Sequence, residues 1–176
     1  DGQLITNEIL VRAKIADNRV VSDLENDILK LVVINRYNSA PPAIAFVKNF
    51  GLKKGAIASS VAHDSHNIIA VGVEDEDIVK AVNLLIDKKG GVSLASKDEE
   101  LILPLPVAGL MSVDDGYHVA EQYELLDKRA KELGSILSAP YMTLSFLSLL
   151  VIPELKLSDK GLFDGNKFRF TSLFVE

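Results

Sequence analysis

The sequence predicts an α+β or α/β fold, a mixed β-sheet flanked by two main helices. Three observations carry that expectation. Ile28 to Asn35 is a nearly unbroken apolar run, broken only by Lys30, as suits a strand covered on both faces. Two longer segments instead repeat their apolar residues at helical spacing and open on acidic residues. Between these, short apolar runs are joined by polar tips, which reads as hairpins.

In chain order, Leu4 to Ile15 and Arg19 to Val21 read as short extended segments around the turn at Asp17 and Asn18. Ile28 to Asn35 follows as the first core strand. The pair Pro41 and Pro42 then forces an extended connection, because neither nitrogen can donate a ladder hydrogen bond. Ala43 to Phe50 alternates in part and reads as another strand. Gly51 and Gly55 bracket a turn into Ala56 to Val61, and Ile68 to Val73 is the strand that answers it.

The acids Glu74 to Asp77 suit a helix N-terminus, with Ile78, Ala81, Val82, Leu85 and Ile86 as its apolar face and Gly90 as its stop. Val92 to Ser96 and Leu101 to Leu105 then form a hairpin around Lys97 to Glu100. Val107 to Ser112 is a tight passage of small residues, in which Gly109 permits close approach of backbone or ligand. A second helix runs from Asp114 or Asp115 to Leu133, burying Val119, Tyr123, Leu126, Ala130 and Leu133, and Gly134 ends it. Pro140 to Pro153 is apolar all round and fits helix or strand equally. Ser158 to Gly161 is a turn, and Lys167 to Phe174 alternates as an edge strand would.

Composition narrows the function classes. A chain of 176 residues suits one folded domain, and 48% hydrophobic with 25% charged residues is ordinary for a globular protein. The absence of cysteine removes disulfides, thiolate metal sites, a cysteine nucleophile and the cysteine-bound zinc of cytidine deaminases. A net charge of −6 with scattered basic residues argues against a nucleic-acid partner. The run from Leu144 to Ile152 falls well short of the roughly 20 residues that span a bilayer, so no membrane partner is expected. The first residues show no basic start followed by an apolar stretch, so no secretory signal is expected either.

The chemistry concentrates in one stretch, Gly55 to Gly72. Two of the three histidines lie there in His63-Asp-Ser-His-Asn67, a polar cluster at the end of a strand pair. His63 and His66 would share a face on a helix and point oppositely on a strand, but a loop can bring them together. Such a cluster can bind a metal, move protons or recognise a polar heterocycle. It can equally be a hydrogen-bonded turn whose polar groups satisfy local backbone. Arg36 is a further candidate, suited to an anionic group or to a structural ion pair. The acids Glu74 to Asp77 are read as helix-capping charge rather than as metal ligands.

Four phrases carry a resemblance. Asp27-Ile-Leu-Lys-Leu-Val-Val-Ile-Asn-Arg36, Gly55-Ala-Ile-Ala-Ser-Ser-Val-Ala-His-Asp-Ser-His-Asn-Ile-Ile69, Leu103-Pro-Leu-Pro-Val-Ala-Gly-Leu-Met-Ser112 and Pro140-Tyr-Met-Thr-Leu-Ser-Phe146, continuing through Val151 to Leu157, occur in that order. From Asp27 to about Leu162 the chain resembles the C-terminal domain of bacterial adenine deaminases of the amidohydrolase superfamily. The resemblance implies hydrolysis of adenine to hypoxanthine and ammonia, in the cytoplasm, as part of purine salvage. It also implies manganese or iron, held on an N-terminal (β/α)₈ barrel domain that is not in this sequence; no metal is expected on this part.

On that reading residues 1–24 are an extended linker from the barrel side and residues 25–176 are the C-terminal domain. His63, Asp64 and His66 become catalytic candidates auxiliary to the barrel, and Ser65 and Asn67 substrate-binding candidates. The expected partners are the barrel domain, adenine and further copies of the chain in a homo-oligomer. The chain alone is expected to be inactive. The alternative is a non-catalytic packing or oligomerisation module that uses Tyr141 to Ile152.

Overall fold

A computed structural model of the chain describes residues 4–175. Six strands form the central sheet: β3 (Ile28–Ile34), β4 (Ala43–Lys48), β5 (Ala56–Ser59), β6 (Ile68–Gly72), β7 (Gly91–Ala95) and β8 (Glu100–Pro104). Their order is β4-β3-β6-β5-β7-β8, and every neighbouring pair is antiparallel. The fold is therefore α+β. β6 and β7 run in the same direction but are separated by β5, which is antiparallel to both. Helix α1 (Asp75–Asp87) makes the long crossover between them, which is why strand-helix-strand patterning alone also admitted α/β.

Both faces of the sheet are buried. On β3, Leu29, Leu31 and Val33 point into the larger core, while Val32 joins the smaller one under α1. That second face is built of small residues: Ala56, Ala58 and Ala70 pack against Ile78, Ala81, Val82 and Leu85 of the helix. A Cβ on Gly72 would stand 2.5 Å from Ala56 Cβ and 2.6 Å from Ile78 Cγ1, so helix and sheet leave no room for a side chain there. The predicted helical face holds apart from Ile86, which is 54% exposed. It lies past the edge of the stripe set by Ile78, Val82 and Leu85.

The opposite face carries α2 (Gly116–Glu132) and α3 (Pro140–Phe146). Leu126, Ala130, Leu133, Tyr141, Leu144 and Leu147 fill the larger core. The segment that fitted helix or strand equally is a short helix, with Pro140 in its first turn, where its missing N–H costs nothing. A three-stranded antiparallel sheet, β9 (Leu155–Ser158), β10 (Gly161–Asp164) and β11 (Arg169–Phe170), packs against β3 and β4.

At the start of the chain, β1 (Ile15–Ala16) and β2 (Arg19–Val20) pair around Asp17 and Asn18, both with positive φ as a tight hairpin requires. Residues 1–3 of the expected linker lie outside the described residues. The part that follows is tied to distant sequence: Thr6 exchanges backbone bonds with Pro153 and Glu154, and buried Lys156 donates to the Leu4 carbonyl at 2.6 Å.

Candidate functional site

Arg36 lies on the β3–β4 connection, and the loop joining β5 to β6 holds the candidates His63, Asp64, Ser65, His66 and Asn67. It begins in tightly packed backbone. Ser60 N–H donates to the Gly91 carbonyl, and its hydroxyl donates to the Gly109 carbonyl at 2.6 Å while accepting from Gly91 N–H at 2.8 Å. His63 is then held by α3 and the turn that follows it. Its N–H donates to the Ser145 carbonyl at 3.0 Å, its own carbonyl accepts from Ser148 Oγ at 2.9 Å, and its ring stacks on Phe146 at 4.6 Å between centroids.

His66 sits in the left-handed region with φ of 51°, its N–H bonded back to the Ala62 carbonyl at 2.8 Å. That turn brings the two imidazoles together, edge to face, with ring centres 6.1 Å apart. Both residues remain partly exposed, while Nδ1 of His66 is buried and has no hydrogen-bond partner in the chain. Asp64 and Ser65 at the tip are exposed. Asn67 is different: it is 3% exposed, and its Oδ1 accepts from Arg36 N–H at 3.1 Å.

A second clamp comes from the β3–β4 connection. Tyr37 donates its hydroxyl to the Ser65 carbonyl at 2.9 Å and accepts from Arg36 Nη2 at 3.2 Å. Arg36 Nη2 also donates to the Ala108 carbonyl at 2.7 Å, and its guanidinium carbon lies 5.2 Å from the Tyr37 ring centre. The close approach expected at Gly109 is made here. A Cβ on that residue would run into Arg36 Nη1, and one on Gly90 would run into Gly109 Cα.

Cavities open on either side of the loop. One of about 440 Å³ lies between the sheet and helices α2 and α3, with His63, Ser59, Val61, Val119, Tyr123 and Tyr141 among its walls. It is largely apolar with few polar groups, the usual make-up of a small-molecule pocket. Burial raises the pKa of both tyrosines, that of Tyr141 well above the ordinary phenol value, so both are neutral hydroxyls at physiological pH. The Tyr141 hydroxyl donates to the Ser93 carbonyl at 3.1 Å. The other cavity, about 680 Å³, is lined on the far side by Arg36, Tyr37, Asn38, Lys89 and Gly109.

The loop does not make a metal centre. Among the described residues no three His, Cys, Asp or Glu side chains are grouped so as to hold an ion. Two imidazoles and a carboxylate are a set that iron can take when they converge, but here the rings stand 6.1 Å apart and the Asp64 carboxylate is not grouped with them. The loop offers instead two imidazoles, a carboxylate and a hydroxyl on a scaffold anchored at both ends. Such groups can donate, accept and relay protons.

The Adenine deaminase C-terminal domain family matches residues 3–169. The chain belongs to that family. It is similar over its whole length to an adenine deaminase of Methanosarcina acetivorans, with 58% identity over 176 residues, which are 32% of that relative. The adenine deaminase of Sulfurovum sp. is 57% identical over 171 residues, covering 97% of this chain and 31% of the relative. That of Parabacteroides distasonis is 54% identical over 175 residues, covering 99% and 32%. The chain thus spans about a third of the length of these relatives. No helix among the described residues is long and apolar enough to cross a membrane.

Sequence reasoning found the histidine loop of this family member but not its supports. Tyr37, Phe146 and Ser148 lie 28 to 85 positions from the residues they hold or stack on. The one local signal was the serine spacing in Ser145 and Ser148, which places both on the same side of a helical turn.

Proposed function

We propose that this chain is the C-terminal part of an adenine deaminase, the enzyme that converts adenine and water to hypoxanthine and ammonia. The carrying observation is the match of the whole chain to proteins named adenine deaminase at 58% identity. The manganese or iron of the intact enzyme supplies activated water and is carried by the remainder of the protein, read as the N-terminal barrel domain reached through residues 1–24.

Within that enzyme the His63–Asn67 loop is this chain's contribution to the purine site. His63, Asp64 and His66 are the groups that hold or pass a proton as the exocyclic amine departs, and exposed Ser65 binds the base, while Asn67, a base-binding candidate by sequence, is buried and bonded to Arg36 N–H and so positions the loop. The partial exposure of both imidazoles and the position of His63 on a cavity wall support this role. The intact enzyme is read as a cytoplasmic homo-oligomer, and the chain alone as inactive.

The test is His63→Ala and His66→Ala in the full-length enzyme. A proton-transfer role predicts a fall in kcat of about 10²-fold or more. Unchanged turnover in both variants would remove the loop from the mechanism.

The second reading, a packing or oligomerisation module, has its own support. Of the expected Tyr141 to Ile152 surface, Tyr141, Leu144 and Leu147 are spent in the chain's own core, and its exposed large apolar residues are Met142 and Val151, with Leu4, Ile5, Leu10, Val11 and Ile15 exposed as well. It predicts that Leu10→Asp and Val11→Asp reduce the assembled mass in solution while the histidine variants leave turnover intact.

A further inference from the structure

Arg36 is a partly buried cation whose Nε has no acceptor. It takes part in none of the ion pairs among the described residues, and neither does Lys89 across the same cleft. A guanidinium carries five N–H donors in a fixed fork. Nη2 uses its bonds on the Ala108 carbonyl and the Tyr37 hydroxyl. Nε is buried without an acceptor, and Nη1 lies over Gly109.

A half-buried cation with no acidic partner costs free energy that an anion would offset. The cleft has the other groups that such an anion needs. Asn38 and Ser39 bring an amide and a hydroxyl to its wall, and Lys89 adds a second positive charge. Its volume, about 680 Å³, exceeds what an inorganic oxyanion alone would fill. We propose that this cleft between the β3–β4 connection and the Lys89–Gly90 turn binds the phosphate group of a phosphorylated small molecule. The proposal goes beyond the deaminase reading and does not depend on it. It uses no residue of the His63–Asn67 loop.

Inorganic phosphate is the probe, titrated calorimetrically into the 176-residue chain and into the full-length enzyme, with chloride holding ionic strength constant. Saturable binding is expected in both, weakened about tenfold or more by Lys89→Gln and by Arg36→Gln, as loss of a charge-assisted bond implies. Arg36 also anchors Ala108, so circular dichroism must confirm that its variant folds. Exposed Lys89 makes only the backbone bond of its own turn, so Lys89→Gln carries the test independently. Absence of saturable binding, binding undiminished in Lys89→Gln, or binding seen in the chain but lost in the full-length enzyme would each overturn the proposal.

Discussion

The Tyr37 hydroxyl donates to the Ser65 carbonyl at 2.9 Å, joining the β3–β4 connection to the tip of the histidine loop across 28 positions of sequence. The bond lies at the exposed end of the loop, where no regular structure holds the backbone. Tyr37→Phe removes only that hydroxyl. It should cost about 0.5 to 1.5 kcal/mol of stability by urea denaturation. It should also speed amide hydrogen exchange at Ser65 and His66 relative to the β5 and β6 core. Exchange at the loop unchanged from the parent would show that the α3 clamp suffices alone.

Gly109 has φ of 73°, and its missing side chain leaves the space that Arg36 Nη1 occupies. Gly109→Ala should therefore destabilise by about 1 to 3 kcal/mol, through overpacking and an unfavourable backbone conformation together. Because the clash is with one side chain, Arg36→Ala should recover part of the loss in a double-mutant cycle. Strict additivity of the two changes would place the strain in the backbone alone.

Lys156 is 2% exposed, and burial lowers its ammonium pKa to about 8 from an ordinary 10.5. Below pH 8 both folded and unfolded chains carry this proton, so the full penalty of burying the charge is present. Between about 8 and 10.5 the unfolded chain binds the proton and the folded one releases it, so stability gains from rising pH. Lys156→Met should flatten that gain: its stability relative to the parent should be highest below pH 8 and decline toward pH 10. Denaturation midpoints at pH 7, 8, 9 and 10 measure it, and a pH-independent difference would contradict the assignment.

Asp115 caps α2 by accepting the Tyr117 N–H at 2.9 Å. Asp115→Ala should cost about 0.5 to 2 kcal/mol, and Asp115→Asn should retain most of the stability because the amide oxygen can accept the same bond. Thermal denaturation of the two variants side by side separates the cap from any effect of charge.

The contrast between what was readable and what was not follows from range. Helix α2 was legible nearly to the residue because Asp115, the Val119–Ala130 spacing and Gly134 are local signals. The strands β3, β5 and β6 were legible from apolar runs long enough to cross a buried sheet. The position of β5 between β6 and β7 was not, since strand order depends on pairings the chain makes only after α1 has crossed over. α3 escaped assignment because seven residues apolar on every side have no periodicity to read. At the site, residue type flagged His63 and His66, and Gly109 announced a close approach. The stack on Phe146 and the bond from Tyr37 could not be seen, because nothing local in either segment refers to the other.

The seam of alanines and Gly72 beneath α1 makes the two halves of this domain mechanically unequal. With side chains so short, that helix has almost no slack in which to slide or tilt, and it stiffens the sheet as a backing plate does. The layer of α2 and α3, which borders an open space beside His63, keeps that freedom. Adjustments to a guest at the histidine loop should therefore be taken up on that side, with the strands serving as the fixed reference.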